Sequence, residues 1–319
     1  MKTRLLSLLF ALCFTTALSA QPFSKMLLDT ISILPASDSD YVFFTADYDH
    51  DRISDLWVVK TRNTGSKMTE LHILDGASKF QKFSLQTATS LPLSGNDFDF
   101  GAGDFDRDNV LDLYCIKKKN TATNSAEVHI LNGASKYQFY LVQTGTPVPA
   151  GPDHAFFVKD MDNNQIPDLY CVKTYNTGSL KNEVHVLNGL TKYTKFMLQT
   201  ATVLKLNARD FTYIAEDYEW DGFVDLFAVQ TAGTASNFTE VHLLNGRFNY
   251  TGFRLQTATA LPLIDKSENI VLTGDIDTDD ARDLIVLKYR NTQSGKVEIK
   301  VAGFQKKPKE PKKKKEDKD

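Results

Sequence analysis

The chain has 319 residues, a 42% apolar composition and a formal charge of −3. After residue 20 no stretch approaches the roughly 20 consecutive apolar residues of a membrane helix, which excludes a membrane span. The apolar fraction is enough for a sizeable core.

Residues 1–20 carry Lys2 and Arg4, an apolar run from Leu5 to Leu18 and a small-residue end at Ser19-Ala20. That order predicts a secretory signal peptide, a cleaved leader and an extracellular, secreted product. Residues 306–319 hold eight lysines, four acids and no apolar residue except proline. Such a segment cannot bury a core and is expected to be a disordered Lys-rich tail. Without leader and tail, residues 21–305 carry −9, which argues against nucleic acid as a partner.

Residues 21–305 contain five copies of one acidic loop. The first is Asp47, Asp49, Asp51 and Asp55; the second Asp104, Asp106, Asp108 and Asp112. Asp160, Asp162, Asn164 and Asp168 form the third, Asp217, Glu219, Asp221 and Asp225 the fourth, and Asp275, Asp277, Asp279 and Asp283 the fifth. The starts are 57, 56, 57 and 58 residues apart, the mark of a copied structural unit. Oxygen ligands at loop positions 1, 3, 5 and 9, with a backbone carbonyl at position 7, suit Ca²⁺. These are not EF-hands, because position 12 is Val58, Cys115, Cys171, Ala228 or Val286 where a glutamate is needed. Position 6 favours a left-handed backbone. The second and fifth loops are expected to be the strongest and the third, with Asn164, the weakest.

Each repeat reads as four short strands. In the first, Tyr41–Ala46 is apolar and aromatic, the acidic loop follows, and Leu56–Thr61 is a second apolar run. A polar hairpin at 62–67 leads to Thr69–Leu74, the turn dipeptide Asp75-Gly76 closes it, and a fourth strand runs over Phe80–Thr87. Four strands per unit without helical periodicity predict an all-β, five-bladed β-propeller. The fifth repeat lacks a fourth strand, while Lys25–Pro35 matches one standing ahead of the first repeat. The N-terminal strand is therefore expected to complete the last blade and remove both open edges.

The Asp-x-Asp-x-Asp-x-x-x-Asp-Leu repeats, with Phe100-Gly101-Ala102-Gly103-Asp104 ahead of one loop, resemble the FG-GAP/VCBS repeat family. The unit from Thr69 to Phe80 followed by Leu85-Gln86-Thr87 is similar to repeat modules of bacterial cell-wall hydrolases. The resemblance spans 21–305 and implies calcium-bound propellers used for adhesion or glycan binding; it fixes no ligand.

A second constellation recurs on the third strand: Glu70 and His72, Glu127 and His129, Glu183 and His185, Glu240 and His242. Two residues apart on a strand, each pair shares one face. The fifth repeat keeps Glu298 and replaces histidine by Lys300, and the second strand supplies Lys60, Lys117, Lys173, Gln230 and Lys288. These residues fit either a structural Lys–Glu–His network in each blade or a sugar-binding pocket between blades. Cys115 and Cys171 occupy one position in adjacent repeats and are expected to be buried thiols. Asn237 and Asn249 begin glycosylation sequons.

These features lead to a secreted, monomeric, non-enzymatic calcium-binding propeller that recognises a glycan or cell-surface component. The alternatives are a protein–protein adhesion or scaffold module with a protein receptor, and a propeller-based hydrolase or lyase. The enzyme stands last because an active site is singular whereas these residues are repeated.

Overall fold

The computed structural model describes residues 21–37, 40–206 and 211–303. The leader at 1–20 and the tail at 306–319 lie outside the described residues. Blade one is β2 (Tyr41–Ala46), β3 (Asp55–Lys60), β4 (Met68–Leu74) and β5 (Phe83–Pro92), after an N-terminal strand β1 (Lys25–Pro35). Blade two is β6 (Phe98–Gly103), β7 (Asp112–Lys117), β8 (Ser125–Leu131) and β9 (Tyr140–Pro149). Blade three is β10 (His154–Lys159), β11 (Asp168–Lys173), β12 (Lys181–Leu187) and β13 (Phe196–Lys205). Blade four is β14 (Phe211–Glu216), β15 (Asp225–Gln230), β16 (Phe238–Leu244) and β17 (Phe253–Pro262). Blade five contains β18 (Asn269–Gly274), β19 (Asp283–Lys288) and β20 (Lys296–Gly303).

The predicted closure is present. The fifth sheet has the order β1-β20-β19-β18, with β1 antiparallel to β20 and Thr30 opposite Ile299. The first strands β2, β6, β10, β14 and β18 contact one another in a closed ring and line the axis. The second strand of every blade is buried along its first five residues. Blades press on both of its faces, so its sequence reads as a continuous apolar run rather than an alternation. The core is accordingly divided into five apolar clusters, one at each seam between blades. Cys115 and Cys171 are buried free thiols in different seams.

Each seam is closed by an aromatic wedge that pattern reading absorbs into the fourth strand. Phe23, Phe80, Tyr137, Tyr193 and Tyr250 sit three residues before the fourth strand's equivalent point, all at most 1% exposed. All five have left-handed backbone, φ between 59° and 65°. That conformation costs an L-residue roughly 1–2 kcal/mol, which the buried ring offsets. Their carbonyls tie the wedge to the preceding blade: Ala260 N–H donates to Phe23 at 2.8 Å, Ser90 to Tyr137 at 3.1 Å and Val203 to Tyr250 at 3.0 Å. At the equivalent place facing Tyr193 stands Pro147, which has no N–H to give.

Phe23 therefore locks the N-terminal strand into the seam of blades four and five, against Tyr218 and Phe227. Phe23→Ala is expected to destabilise the protein by about 3–5 kcal/mol. Ile31→Ala, on the same strand and 48% exposed, is expected to change stability by less than about 0.5 kcal/mol. Denaturant melts of the two variants check this; equal melts would show that β1 is held by its backbone ladder alone.

Candidate functional site

The five acidic loops all lie on one face of the propeller, between the first and second strand of each blade. Their shape comes from the backbone and from position 1. Asp47 accepts the N–H groups of Asp51 (3.1 Å) and Arg52 (2.9 Å), and Asp104 and Asp160 repeat the pattern. Position 6 is left-handed in all five loops: Arg52, Asn109, Gln165, Gly222 and Asp280. So is position 4, which spacing does not reveal: His50, Arg107, Asn163, Trp220 and Thr278.

Position 9 is a buried pin. Asp55 is 1% exposed and accepts Gly76 N–H at 2.7 Å and Tyr48 N–H at 2.8 Å. Asp112 holds Gly133 and Phe105, and Asp168 holds Gly189 and Met161, all at 2.8–2.9 Å. One carboxylate thus joins its own loop to the turn between strands three and four. The glycine is required there: a Cβ on Gly76 would lie 2.3 Å from the Ser54 carbonyl oxygen. Burial pushes these carboxyls up against the pull of their hydrogen bonds, Asp55 and Asp168 to about 6, Asp112 to about 7 and Asp283 to about 8.

Carboxylate oxygens converge in four loops, within 4.8 Å of one another. The groups are Asp47, Asp49 and Asp55; Asp104, Asp106 and Asp108; Asp160, Asp162 and Asp168; and Asp275, Asp277 and Asp279. This donor set, all hard oxygen, fits a divalent cation such as Ca²⁺. The fourth loop is the exception, not the third. Among the described residues Asp217, Glu219, Asp221 and Asp225 gather no such group. The guanidinium of Arg254, from β17, stands among them instead. It pairs with Glu219, with Asp221 at 3.2 Å and with Asp225 at 3.8 Å. Ser84, Leu141 and Met197 occupy the matching place in blades one to three.

The Glu–His pairs are tied into each blade by hydrogen bonds. Glu70 Oε1 accepts the Ser66 hydroxyl at 2.8 Å and its N–H at 3.0 Å, fastening the outer hairpin, while Oε2 faces His72 Nε2 at 3.6 Å. Gln86 from the fourth strand lies 3.1 Å from His72 Nδ1. Glu127 with His129, Glu183 with His185 and Glu240 with His242 repeat this. Burial raises the Glu70 carboxyl, but the Ser66 hydrogen bonds and the His72 and Lys60 charges outweigh it, and the net shift is downward.

The residues that break the fivefold repeat meet on the axis. Inner strands end in Ala46, Gly103 and Gly274 in three blades, but in Lys159 and Glu216 in the other two. Loop position 8 is Ser54, Leu111, Pro167 and Val224 in four blades and Arg282 in the fifth. Lys159 Nζ lies 2.8 Å from Glu216 Oε2, and Arg282 Nη2 lies 3.3 Å from Glu216 Oε1. Arg282 also stacks 4.2 Å over the Trp220 ring, itself 55% exposed. A cavity of about 670 Å³ opens here on the loop face, lined by these four residues with His50, Glu219 and Asp275. Burial raises the Glu216 carboxyl, and the Lys159 and Arg282 charges more than reverse this, so it is held below the usual range. Asp275, 2% exposed, is pushed up by burial.

No protein-family model matches the chain, and no curated protein matches it; neither comparison bears on the FG-GAP/VCBS resemblance. Solved structures do match. The GH43_1 enzyme from Xanthomonas citri, seen with xylose and with xylotriose, aligns with a TM-score of 0.52 at 12% identity over 86% of this chain and 90% of its own. The catalytic domain of the Coprinopsis cinerea GH62 α-L-arabinofuranosidase aligns with a TM-score of 0.50 at 8% identity over 89% and 97%. At these identities the likeness establishes the five-bladed fold. The expectation of a non-enzymatic lectin-like or adhesion propeller is corrected by these two neighbours, both of which are glycoside hydrolases. Repetition of a frame does not exclude a singular active site. The departure of Lys159, Glu216 and Arg282 from the repeat marks one singular place on that frame. No helix among the described residues is long and apolar enough to cross a membrane.

The raised position 9 carboxyls give a signed pH dependence. A carboxyl whose folded pKa exceeds its unfolded value favours the fold most below about pH 4 and loses that contribution as pH rises through the folded value. In chelator, the melting temperature is expected to fall between pH 5.5 and 8.5, across the values of 6 to 8 held by Asp55, Asp112, Asp168 and Asp283. Thermal melts over this range check it; a melt that rises with pH would contradict these shifts.

Proposed function

We propose that the protein is an extracellular carbohydrate-active enzyme of the glycoside hydrolase type, with its site at the loop-face mouth of the propeller axis. The observation that carries this is the convergence of Lys159, Glu216, Arg282 and Trp220, each departing from the repeat, on one cavity. Glycosidic hydrolysis requires one carboxyl to protonate the leaving oxygen and a second, ionised, to act as base or nucleophile. Glu216, held ionised between two cations, suits the second role. Trp220 offers a flat apolar face to a sugar ring at the rim. The sugars named for the fold neighbours point to pentose-containing plant polysaccharide as the substrate class to test first. Glu216→Gln keeps the shape of the side chain but removes the charge that pairs Lys159 and Arg282, and is expected to lower release of reducing sugar from arabinoxylan at least 100-fold, with a lowered but still cooperative melt. Equal release by wild type and variant would place catalysis elsewhere, and no release from any neutral polysaccharide would overturn the reading.

Calcium forms part of the same proposal. Four loops present converging oxygens, and Arg254 supplies a fixed positive charge in the fourth, which supports a need for positive charge at this position in every blade. Ions bound here would hold the loops that frame the mouth and keep the position 9 carboxylates ionised. Terbium luminescence titration is expected to count four ions in the wild type and five in Arg254→Ser, which restores the residue found in blade one. A count that does not rise in the variant would sink the role given to Arg254, and an unchanged melt in chelator would sink the calcium reading.

A further inference from the structure

The axis holds a second chamber. A cavity of about 480 Å³ lies behind the loop-face cavity, lined by the inner strands and by the turn ahead of β10. Thr45, Ala46, Ala102, Lys159 and Glu216 border both, so the Lys159–Glu216 pair stands as the partition between them. At the far end of this chamber a second set of residues departs from the repeat. The second residue of the inner strand is Val42, Ala155, Thr212 and Ile270 in four blades and Asp99 in the other. The residue after the second strand is Thr61, Thr174, Thr231 and Tyr289 in four blades and Lys118 in the other. The first residue of the inner strand is Tyr41, Phe98, Phe211 and Asn269 in four blades and His154 in the other.

These three residues meet. Lys118 Nζ lies 2.6 Å from Asp99 Oδ1 and 3.5 Å from the His154 carbonyl oxygen. Asp99 Oδ2 accepts the Phe156 N–H at 3.2 Å, which carries the pair across the seam of blades two and three. His154 is 9% exposed, lines the chamber, and its imidazole is tied to the Gly151 backbone. Phe156 packs beside the imidazole at 5.9 Å, and Phe211 lines the same chamber.

We propose that this chamber is a second binding site, distinct from the loop-face mouth, for a small neutral polyhydroxylated ligand of monosaccharide size. The chemistry favours that class over a charged one. Asp99 and Lys118 neutralise each other, Lys159 and Glu216 do the same at the partition, and Asp153 is the one charge left over, so an anionic ligand is disfavoured, and the phenyl walls suit the C–H face of a sugar ring. The volume lies within the roughly 300–1,000 Å³ of small-molecule sites. Because the two chambers share the Lys159–Glu216 wall, the far site is placed to hold a sugar that has passed the partition. Its occupancy does not depend on hydrolysis.

The test is binding without turnover. Saturation-transfer NMR with D-xylose, D-galactose and, as a charged comparison, D-glucuronate is run on the full secreted chain and two variants. His154→Ala removes a side chain that lines the chamber, and Trp220→Ala alters the loop-face mouth alone. The proposal expects a neutral sugar to bind, His154→Ala to weaken it at least tenfold with a melt within a few degrees of wild type, and Trp220→Ala to leave it within twofold. Loss in Trp220→Ala with wild-type binding in His154→Ala would assign the sugar to the loop-face mouth and overturn the second site. Binding of D-glucuronate alone, or of none of the three, would overturn the ligand class. Failure of the hydrolysis assay leaves each of these readouts intact.

Discussion

The buried aspartate at loop position 9 is the contact on which the architecture depends. Asp55, Asp112 and Asp168 each use both carboxylate oxygens, one toward the loop that precedes the second strand and one toward the glycine turn after the third. Three strands of a blade are thereby fixed relative to one another at a single point. The cost is a carboxyl at most 1% exposed in every blade, which neither tight packing nor two N–H donors fully relieves, as the raised pKa values show. A positive charge nearby is the direct remedy. In blade four it is covalent, Arg254, which is among the influences holding the Asp225 carboxyl down, and that carboxyl still rises to about 6, as those of Asp55 and Asp168 do.

With each blade pinned, the remaining task is to join blades, and the loop face does this with different chemistry at each seam. His50 Nε2 lies 3.1 Å from the Asn109 carbonyl, Arg107 donates to the Asn164 carbonyl at 2.9 Å, and Asn163 donates to the Gly222 carbonyl at 3.1 Å. Arg282 stacking on Trp220 closes the fourth seam, and the Arg52–Asp280 ion pair closes the fifth. Four of these contacts start from a side chain at loop position 4 or end on one, which explains why that position is left-handed: the conformation aims the side chain at the neighbouring blade rather than along its own loop. Surface contacts of this kind are individually weak. Their consequence is a belt around the mouth that ties the catalytic candidates to their neighbours on both sides.

What could be read from the sequence follows from periodicity. Strand number, blade number and closure by Lys25–Pro35 were legible because each is encoded five times, and copies that differ in residue agree in pattern. The Glu–His pairs were legible as well, and their role as hairpin fasteners became clear only from the Ser66-type partners four residues upstream. Residues that act once were not legible by the same method. Arg254 lies 33 residues from Asp221, on the outermost strand, and only the fold brings it to the loop. Lys159 and Glu216 each close an inner strand that reads as ordinary, and they become a pair only when blades three and four stand side by side. The aromatic wedges were hidden for a different reason: their left-handed backbone has no composition signature, since Phe and Tyr are strand formers.

The charged cluster on the axis is best understood from what stands in its place elsewhere. Ala46, Gly103 and Gly274 complete the same inner strands without a charge, so the frame does not require Lys159 or Glu216 for its geometry. Burying an ion pair gains little over an apolar replacement and frequently loses stability. Glu216 is nevertheless held by two cations from two different blades, at 2.8 and 3.3 Å, and its side chain is only 9% exposed. An arrangement that costs desolvation, and that stands on the wall between two cavities, is singular in an otherwise repeated frame. The same reasoning applies at the far end of the axis to Asp99, Lys118 and His154. In this protein the repeat builds the walls, and the departures from it line the two cavities on the axis.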